Sequence, residues 1–279
     1  MPWQLAWAQA GSVAVPWPTK PIRIIVGFPG GSSPDLTARA LAEPLSKALG
    51  QPVIVDNRPG ASGNIAADMV AKSTDGHTVG LMINGNLTIA KLLNPKTPYD
   101  PLKDLTPVSL LATAPLVLTV QASYAGTAQD FLKTGLQAGN TWSYGTPGQG
   151  TLAHLGMELL KAKTGLSPVH VPYPGNPQVV NAMMGGQIQL AMLPPGIAMP
   201  QVRAGRLKAI AVTSAGRSTI CSGKPTCGLG QRDRPHTRDA SAPVYPRLAG
   251  GGFITRGAGQ PYAPGYGCAV RRHCAAGYP

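Results

Sequence analysis

The chain has 279 residues, a formal net charge of +13 and 43% apolar residues. That size fits two domains with cores of their own, and no run of about 18 apolar residues is present to form a spanning helix. The positive charge is not gathered into a basic stripe with interleaved aromatics, which argues against a nucleic-acid partner.

The amino-terminal segment, residues 1–16, opens with MPWQLAWAQA. It has no basic region and only a short apolar stretch, yet Ala6, Trp7 and Ala8 have the small-x-small form of a cleavage site. Two readings fit: the end of an export signal whose start is missing, or a disordered leader. The β-branched run at 22–26 predicts a strand. A glycine-rich turn follows, and then a helix with Ser33 as N-cap and Pro34 at its first position. Leu41, Leu45, Ala48 and Leu49 recur at helical spacing, Pro44 is expected to kink the helix, and Gly50 ends it. Strands are expected at 53–55 and 78–83, with a loop at 59–63 and a helix at 64–72 between them.

Strand–helix alternation of this kind predicts an α/β sheet with parallel strands. Strands at 110–112 and 116–121 would suit a crossover between lobes. A weak helix interrupted by Gly135 is expected at 128–138 and a strand at 142–144. The helix at 151–164 is expected to place Leu152, Leu155, Leu159 and Leu160 on one face, with Gly165 closing it. Further strands are expected at 169–173, 189–192 and 208–212, and a helix at 178–184. The expected division is 17–109 for lobe 1, 110–212 for lobe 2 and 213–279 for an atypical tail. In that tail no window shows a helical or strand period, and 18 of the last 60 residues are Gly or Pro.

Two motifs carry chemistry. Phe28, Pro29, Gly30, Gly31, Ser32, Ser33, Pro34 and Asp35 join a strand to a helix start. Glycines turn the chain and expose N–H groups, and the helix dipole adds about half a positive charge there, so the turn makes an anion site without a cationic side chain. Thr146, Gly148, Gln149, Gly150 and Thr151 repeat this arrangement about 115 residues later, again at a carboxyl end of a strand, where ligands of open α/β sheets sit. Asn84 and Gly175 follow strands in the same way and are second-rank candidates. Neither loop has the Gly-Lys-Ser/Thr ending of a P-loop or the G-x-G-x-x-G spacing of a dinucleotide site.

Nothing points to catalysis, a metal or a cofactor. His77 follows an Asp-Gly turn and is expected in solvent; His154 is expected on a helix surface and His170 as a structural strand residue. Cys221, Cys227, Cys268 and Cys274 have a C-x₅-C spacing unlike the short spacing of structural zinc sites. An enzyme that uses the glycine loops for a phosphorylated substrate is the alternative class.

At these residues the chain resembles the Bug-type solute-binding proteins of tripartite tricarboxylate transporters. The resemblance rests on Trp17-Pro18-Thr19-Lys20-Pro21-Ile22-Arg23, on Phe28-Pro29-Gly30-Gly31 with Asp35, Ala38 and Arg39, and on the run from Val55 through Asn57-Arg58-Pro59-Gly60 to Ile65. It continues at Asp75-Gly76-His77-Thr78, Tyr99-Asp100-Pro101, Tyr144-Gly145, Val171-Pro172-Tyr173, Gly185-Gly186-Gln187 and Ala211-Val212-Thr213-Ser214, and ends near Ser218. It implies a two-lobed fold of the periplasmic-binding-protein type (type II), with the first lobe incomplete at its C-terminal part. It further implies a periplasmic location, a small carboxylate ligand held by backbone N–H groups of both loops, a membrane transporter as partner and a monomeric state, with no enzymatic step.

The family pattern would continue with a Pro-Thr and acidic stretch, but an Arg-, Gly-, Pro- and Cys-rich segment stands there instead. A reading-frame shift near residue 219 is therefore expected, leaving lobe 1 without its closing elements; the alternative to a working receptor is a non-functional product of such a gene. Sequencing the source DNA checks this: another frame should restore a family-like ending, and the shift is excluded if none does.

Overall fold

The computed structural model describes residues 17–214 and 249–257, and these form two α/β lobes. In the first lobe β1 (Ile22–Val26) lies between β2 (Val53–Asn57) and β3 (Thr78–Ile83), parallel to both. Helix α1 (Ser33–Leu49) connects β1 to β2, and α2 (Asn64–Ala71) connects β2 to β3. Ile22, Ile24 and Val26 of β1 pack with Ala38, Leu41 and Leu45 of α1 on one face. Ile25 packs with Ala66, Ala67 and Val70 of α2 on the other. The central strand is thus buried on both faces and reads as a continuous apolar run. Helix α1 continues through Pro44 and stops where Gly50 turns left-handed at φ 67°.

The chain then runs through a short helical turn, α3 (Ala90–Leu93), and β4 (Leu105–Pro115). The second lobe opens with β5 (Val117–Gln121) and contains β6 (Ser143–Thr146), β7 (Val169–Pro172), β8 (Leu190–Leu193) and β9 (Leu207–Val212), in the order β7-β6-β8-β5-β9. Its helices are α4 (Phe131–Ala138), α5 (Leu152–Thr164), α6 (Asn176–Met184) and α7 (Pro195–Arg203). Leu116 is the step between the sheets. Its N–H donates to Thr213 Oγ1 and its carbonyl accepts the Thr213 N–H, both at 2.9 Å. The end of β9 is thereby clipped to the crossover.

Several expectations change. Residues 110–115 belong to β4 and so to the first sheet, which puts the lobe boundary at Leu116 rather than after residue 109. The buried face of α5 is Ala153, Gly156 and Met157; Leu155 and Leu159 are half-buried. Small residues let that helix lie close to its sheet, so the leucines flank the contact. Helix α7 went unread because Pro194, Pro195 and Gly196 look like a turn, although proline suits a first helical position. His77 is 6% exposed rather than solvated. Its Nε2 accepts the Thr19 N–H at 3.1 Å and its Nδ1 lies 2.9 Å from Asp75 O, which fastens the entering segment to the β3 turn.

The largest change lies in the tail. Residues 249–257 form β10 (Ala249–Gly257), antiparallel between β3 and β4 in the order β2-β1-β3-β10-β4. The edge of β3 expected to be open is therefore covered. Three successive glycines hid this strand, since they supply no side-chain alternation. The four cysteines lie outside the described residues. Ile254 is 2% exposed and packs in the core with Ile24, Val79 and Leu81. Ile254→Ala is expected to cost about 2–5 kcal/mol, as a buried large-to-small change does. Urea unfolding measures it, and an unchanged midpoint would show that the strand contributes nothing to the sheet.

Candidate functional site

The loop between β1 and α1 is built around a buried carboxylate. Gly31 sits at φ 77°, where only glycine is unstrained. Asp35, 1% exposed, folds back on the loop: its Oδ2 accepts the Gly31 N–H at 2.8 Å, and its Oδ1 accepts from Arg39 Nε at 3.0 Å and Asn57 Nδ2 at 2.9 Å. Burial alone would raise the Asp35 pKa, but the bonds from Arg39, Gly31 and Asn57 outweigh it and hold the carboxyl below its ordinary range. Asn57 Nδ2 also donates to the Phe28 carbonyl at 2.9 Å. Asp35 is therefore occupied within the loop and holds its shape. Its placement departs from the ligand contact expected of it, because the donors that would neutralise it are all its own neighbours.

Ser32 stands at the N-cap of α1 with the extended backbone of a cap (φ −73°, ψ 159°), yet its side chain caps nothing. The residue is 1% exposed, and its hydroxyl has no protein partner. The loop between β6 and α5 repeats the pattern. Gly148 and Gly150 have φ of 120° and 77°. Thr151 is the N-cap of α5, but its hydroxyl donates at 2.7 Å to the Gly148 carbonyl and not to the helix. The first four N–H groups of a helix have no intrahelical partner, and the dipole places positive charge there. A helix start whose N–H groups are not capped by a side chain suits an anion.

The remaining donors of the second loop are held by its own side chains. Thr146 Oγ1 accepts the Gly148 N–H at 3.2 Å and lies 2.7 Å from His170 Nε2. His154 Nδ1 accepts the Gly150 N–H at 3.3 Å. The rings of His154 and His170 lie 4.5 Å apart, and His170 stacks on Tyr144 at 4.9 Å. The helix-surface histidine and the strand histidine thus form one pair beneath the loop.

The two lobes touch through glycines. A methyl group on Gly85 would lie 2.8 Å from the Gly150 carbonyl, and one on Gly150 would lie 2.8 Å from Leu93 Cδ1. One on Gly175 would come within 2.9 Å of Pro29 Cδ, and one on Gly148 would meet the Ser62 side chain. Pro29 and Gly31 are in this way brought against Gly175 and Pro177, and Gly148 and Gly150 against Ser62, Gly85 and Leu93. Gln149 is exposed. Asn84 follows β3, beside Gly85, and its carbonyl accepts the Thr88 hydroxyl at 2.8 Å.

Ser62 was read only as a loop residue. It has a positive φ of 57°, a strained conformation for a non-glycine residue, and it faces Gly148 across the seam. A Gly-Ala-Ser-Gly run carries no sign of which residue bears the strain. Asn86, 2% exposed, ties this loop down through Ser62 O at 3.0 Å and Asn64 Oδ1 at 2.8 Å. Among the described residues no group of three or more His, Cys, Asp or Glu is placed to hold a metal ion.

The model of the tripartite tricarboxylate transporter family receptor, TctC, matches residues 37–229, more than half of the chain. The chain belongs to this family. The match runs past Ser218, where the resemblance was read to end. BugT of Bordetella pertussis is 37% identical over 213 residues, covering 75% of this chain and 65% of that protein. The chain spans just under two thirds of the length of the curated relatives it matches first. Among solved structures, a Rhodopseudomonas palustris protein with adipate is 30% identical with a TM-score of 0.82, over 93% of this chain and 83% of that one. MatC from the same organism, with bound malate, is 25% identical with a TM-score of 0.79, over 93% and 84%. The TctC family is one of transport receptors, not of enzymes.

The histidine pair puts two titratable rings against the second loop. Burial lowers the His154 pKa; burial and then the neighbouring His154 lower that of His170. Unfolded histidines titrate near about 6.5, so the unfolded chain binds protons first as the pH falls. The stability gained from keeping both rings neutral is full above about pH 6.5 and is lost as the pH drops through that value towards the lowered folded values. The carboxylates with lowered pKa act only at more acidic pH. The urea midpoint should therefore fall between about pH 7.5 and about pH 5.5. Replacing both residues, His154→Gln with His170→Gln, should flatten that slope, and an unchanged slope would acquit the pair.

Proposed function

We propose that this chain is a periplasmic solute-binding protein that closes its two lobes on a small carboxylate and delivers it to the membrane subunits of a tripartite tricarboxylate-type transporter. One observation carries the reading: the α1 loop abuts the α6 loop, the α5 loop abuts Ser62, Gly85 and Leu93 on the other side of the same seam, and neither the α1 nor the α5 N-cap hydroxyl caps its own helix. An anion between them receives backbone donors from both lobes, so binding and closure are the same event. Adipate and malate, the compounds named with the two structural neighbours, are both dicarboxylates. Gly30, Ser33, Gln149 and Thr151 supply the backbone donors, Phe28 and Pro29 shape the first loop, and the N–H groups of Gly31, Ser32, Gly148 and Gly150 are held within the protein and fix the loops' form. Asp35 and Thr146 hold the loops in shape, and Asn84 and Gly175 line the seam.

The receptor acts as a monomer, because both halves of the site lie in one chain. Its location follows the periplasmic binding proteins of this fold. A second reading, a frameshifted and non-functional product, draws on the change of composition near residue 219. The placement of β10 between β3 and β4 weighs against it, since it fills the first sheet.

Calorimetric titration with adipate, malate and related carboxylates tests the proposal. At least one should bind with a 1:1 stoichiometry. Gly150→Val places a β-branched residue at φ 77° and a carbon against Leu93, so it should weaken that binding by about a hundredfold or more by opposing closure. Absence of heat with every carboxylate, from protein that melts cooperatively, would exclude the carboxylate-receptor reading.

A further inference from the structure

Among the described residues six buried side-chain polar atoms have no hydrogen-bond partner, and three of them lie on two loops that abut across the seam. They are Ser32 Oγ at the start of α1, Asn176 Oδ1 at the start of α6, and Gln178 Oε1 two residues further on. Ser32 is 1% exposed and Asn176 is 6% exposed. The two loops abut across the seam. A methyl group on Gly175 would lie 2.9 Å from Pro29 Cδ and 3.3 Å from Gln178 Oε1, and one on Gly31 would lie 3.8 Å from Pro177 Cγ. Helix α6 has nine residues, and no side chain caps its start.

Buried amides and hydroxyls are satisfied in nearly all folded proteins, and an unpaired one is costly enough to call for a reason. Here the orphaned atoms straddle the junction that closes when ligand is held, so a ligand is the natural partner. Two of the three are amide carbonyl oxygens, which only accept. A carboxylate has no hydrogen to give them. A hydroxyl or an ammonium group has.

We infer that Asn176 and Gln178, with Ser32 opposite, form a second polar subsite that accepts a hydrogen-bond donor on the ligand, so that the receptor selects hydroxy- or amino-substituted carboxylates over the plain acids. This rests on the carboxylate-receptor reading and extends it. The α1 and α5 starts read the charge common to all such ligands. The α6 start reads the substituent beside it, and a site built to bond an OH or NH group rejects the analogue that lacks it, because its own buried groups are then left unpaired. None of the three side chains is charged, so the subsite does not of itself choose between hydroxyl and ammonium.

Matched acids isolate the substituent. Succinate, malate and aspartate differ at one carbon by hydrogen, hydroxyl and ammonium; glutarate, 2-hydroxyglutarate and glutamate repeat the series one carbon longer. Calorimetry on the full chain should show malate or aspartate, or their longer counterparts, binding at least about tenfold more tightly than the plain acid. Asn176→Leu and Gln178→Met, each close to isosteric, should bring that ratio towards one. A merely structural role would weaken all ligands alike and leave the ratio unchanged. Two variants guard against one failing to fold, with a thermal melt as the check. Plain acids bound as tightly as substituted ones, or a ratio untouched in both folded variants, would overturn the subsite while leaving the receptor reading intact. No binding of any acid, adipate included, would overturn both.

Discussion

Backbone N–H groups at a helix start must be satisfied by something, and in this chain the side chains best placed to do so are turned away. Ser32 holds its hydroxyl unpaired, and Thr151 spends its hydroxyl on the Gly148 carbonyl. Each substitution of Ser or Thr by a residue without a cap ordinarily costs about 0.5–2 kcal/mol, which gives a scale for the stability left unclaimed at each start. In the proposed clamp a ligand anion recovers it from both lobes at once, and the recovered bonds favour closure.

Geometry explains why glycine recurs around the cleft. Gly85, Gly148, Gly150 and Gly175 each touch the opposite lobe so closely that a single added carbon would collide. At Gly31, Gly148 and Gly150 a positive φ excludes other residues as well. The same residues therefore do two jobs, turning the chain into a helix start and allowing the lobes to approach. Asp35 and the His154–His170 pair work behind this surface. The carboxylate of Asp35 fixes Gly31, and the imidazole of His154 fixes Gly150, each through the backbone N–H. The histidine pair ties the form of the second loop to two titratable rings.

Most of the architecture was legible because its signals are local. The apolar run of β1, the Ser-Pro helix start of α1, the Gly50 and Gly165 stops and the repetition of strand, glycine turn and helix all follow from backbone preference and burial. What was missed depends on contacts distant in the chain. Strand β10 pairs with β3 and β4 through its backbone, and its Gly250, Gly251 and Gly252 erase the side-chain pattern that marks a strand. The lobe boundary shifted to Leu116 because β4 runs on in the first sheet to pair with β10. The two glycine loops lie where the spacing put them, each between a strand and a helix start. Asp35 was misplaced because a carboxylate near a cradle looks the same in sequence whether it faces a ligand or folds back on the loop. Ser62, Asn176 and the histidine pairing emerge only when the strand ends converge.

The central claim is that backbone amides of both lobes hold one carboxylate together. Amide nuclear magnetic resonance of the ¹⁵N-labelled protein tests it most directly. On titration with a bound carboxylate, the amide signals of residues 30–33 and 35 and of 148–153 should shift together and saturate on one curve. Shifts confined to one loop, or two loops saturating at different concentrations, would contradict a clamp that closes on a shared anion.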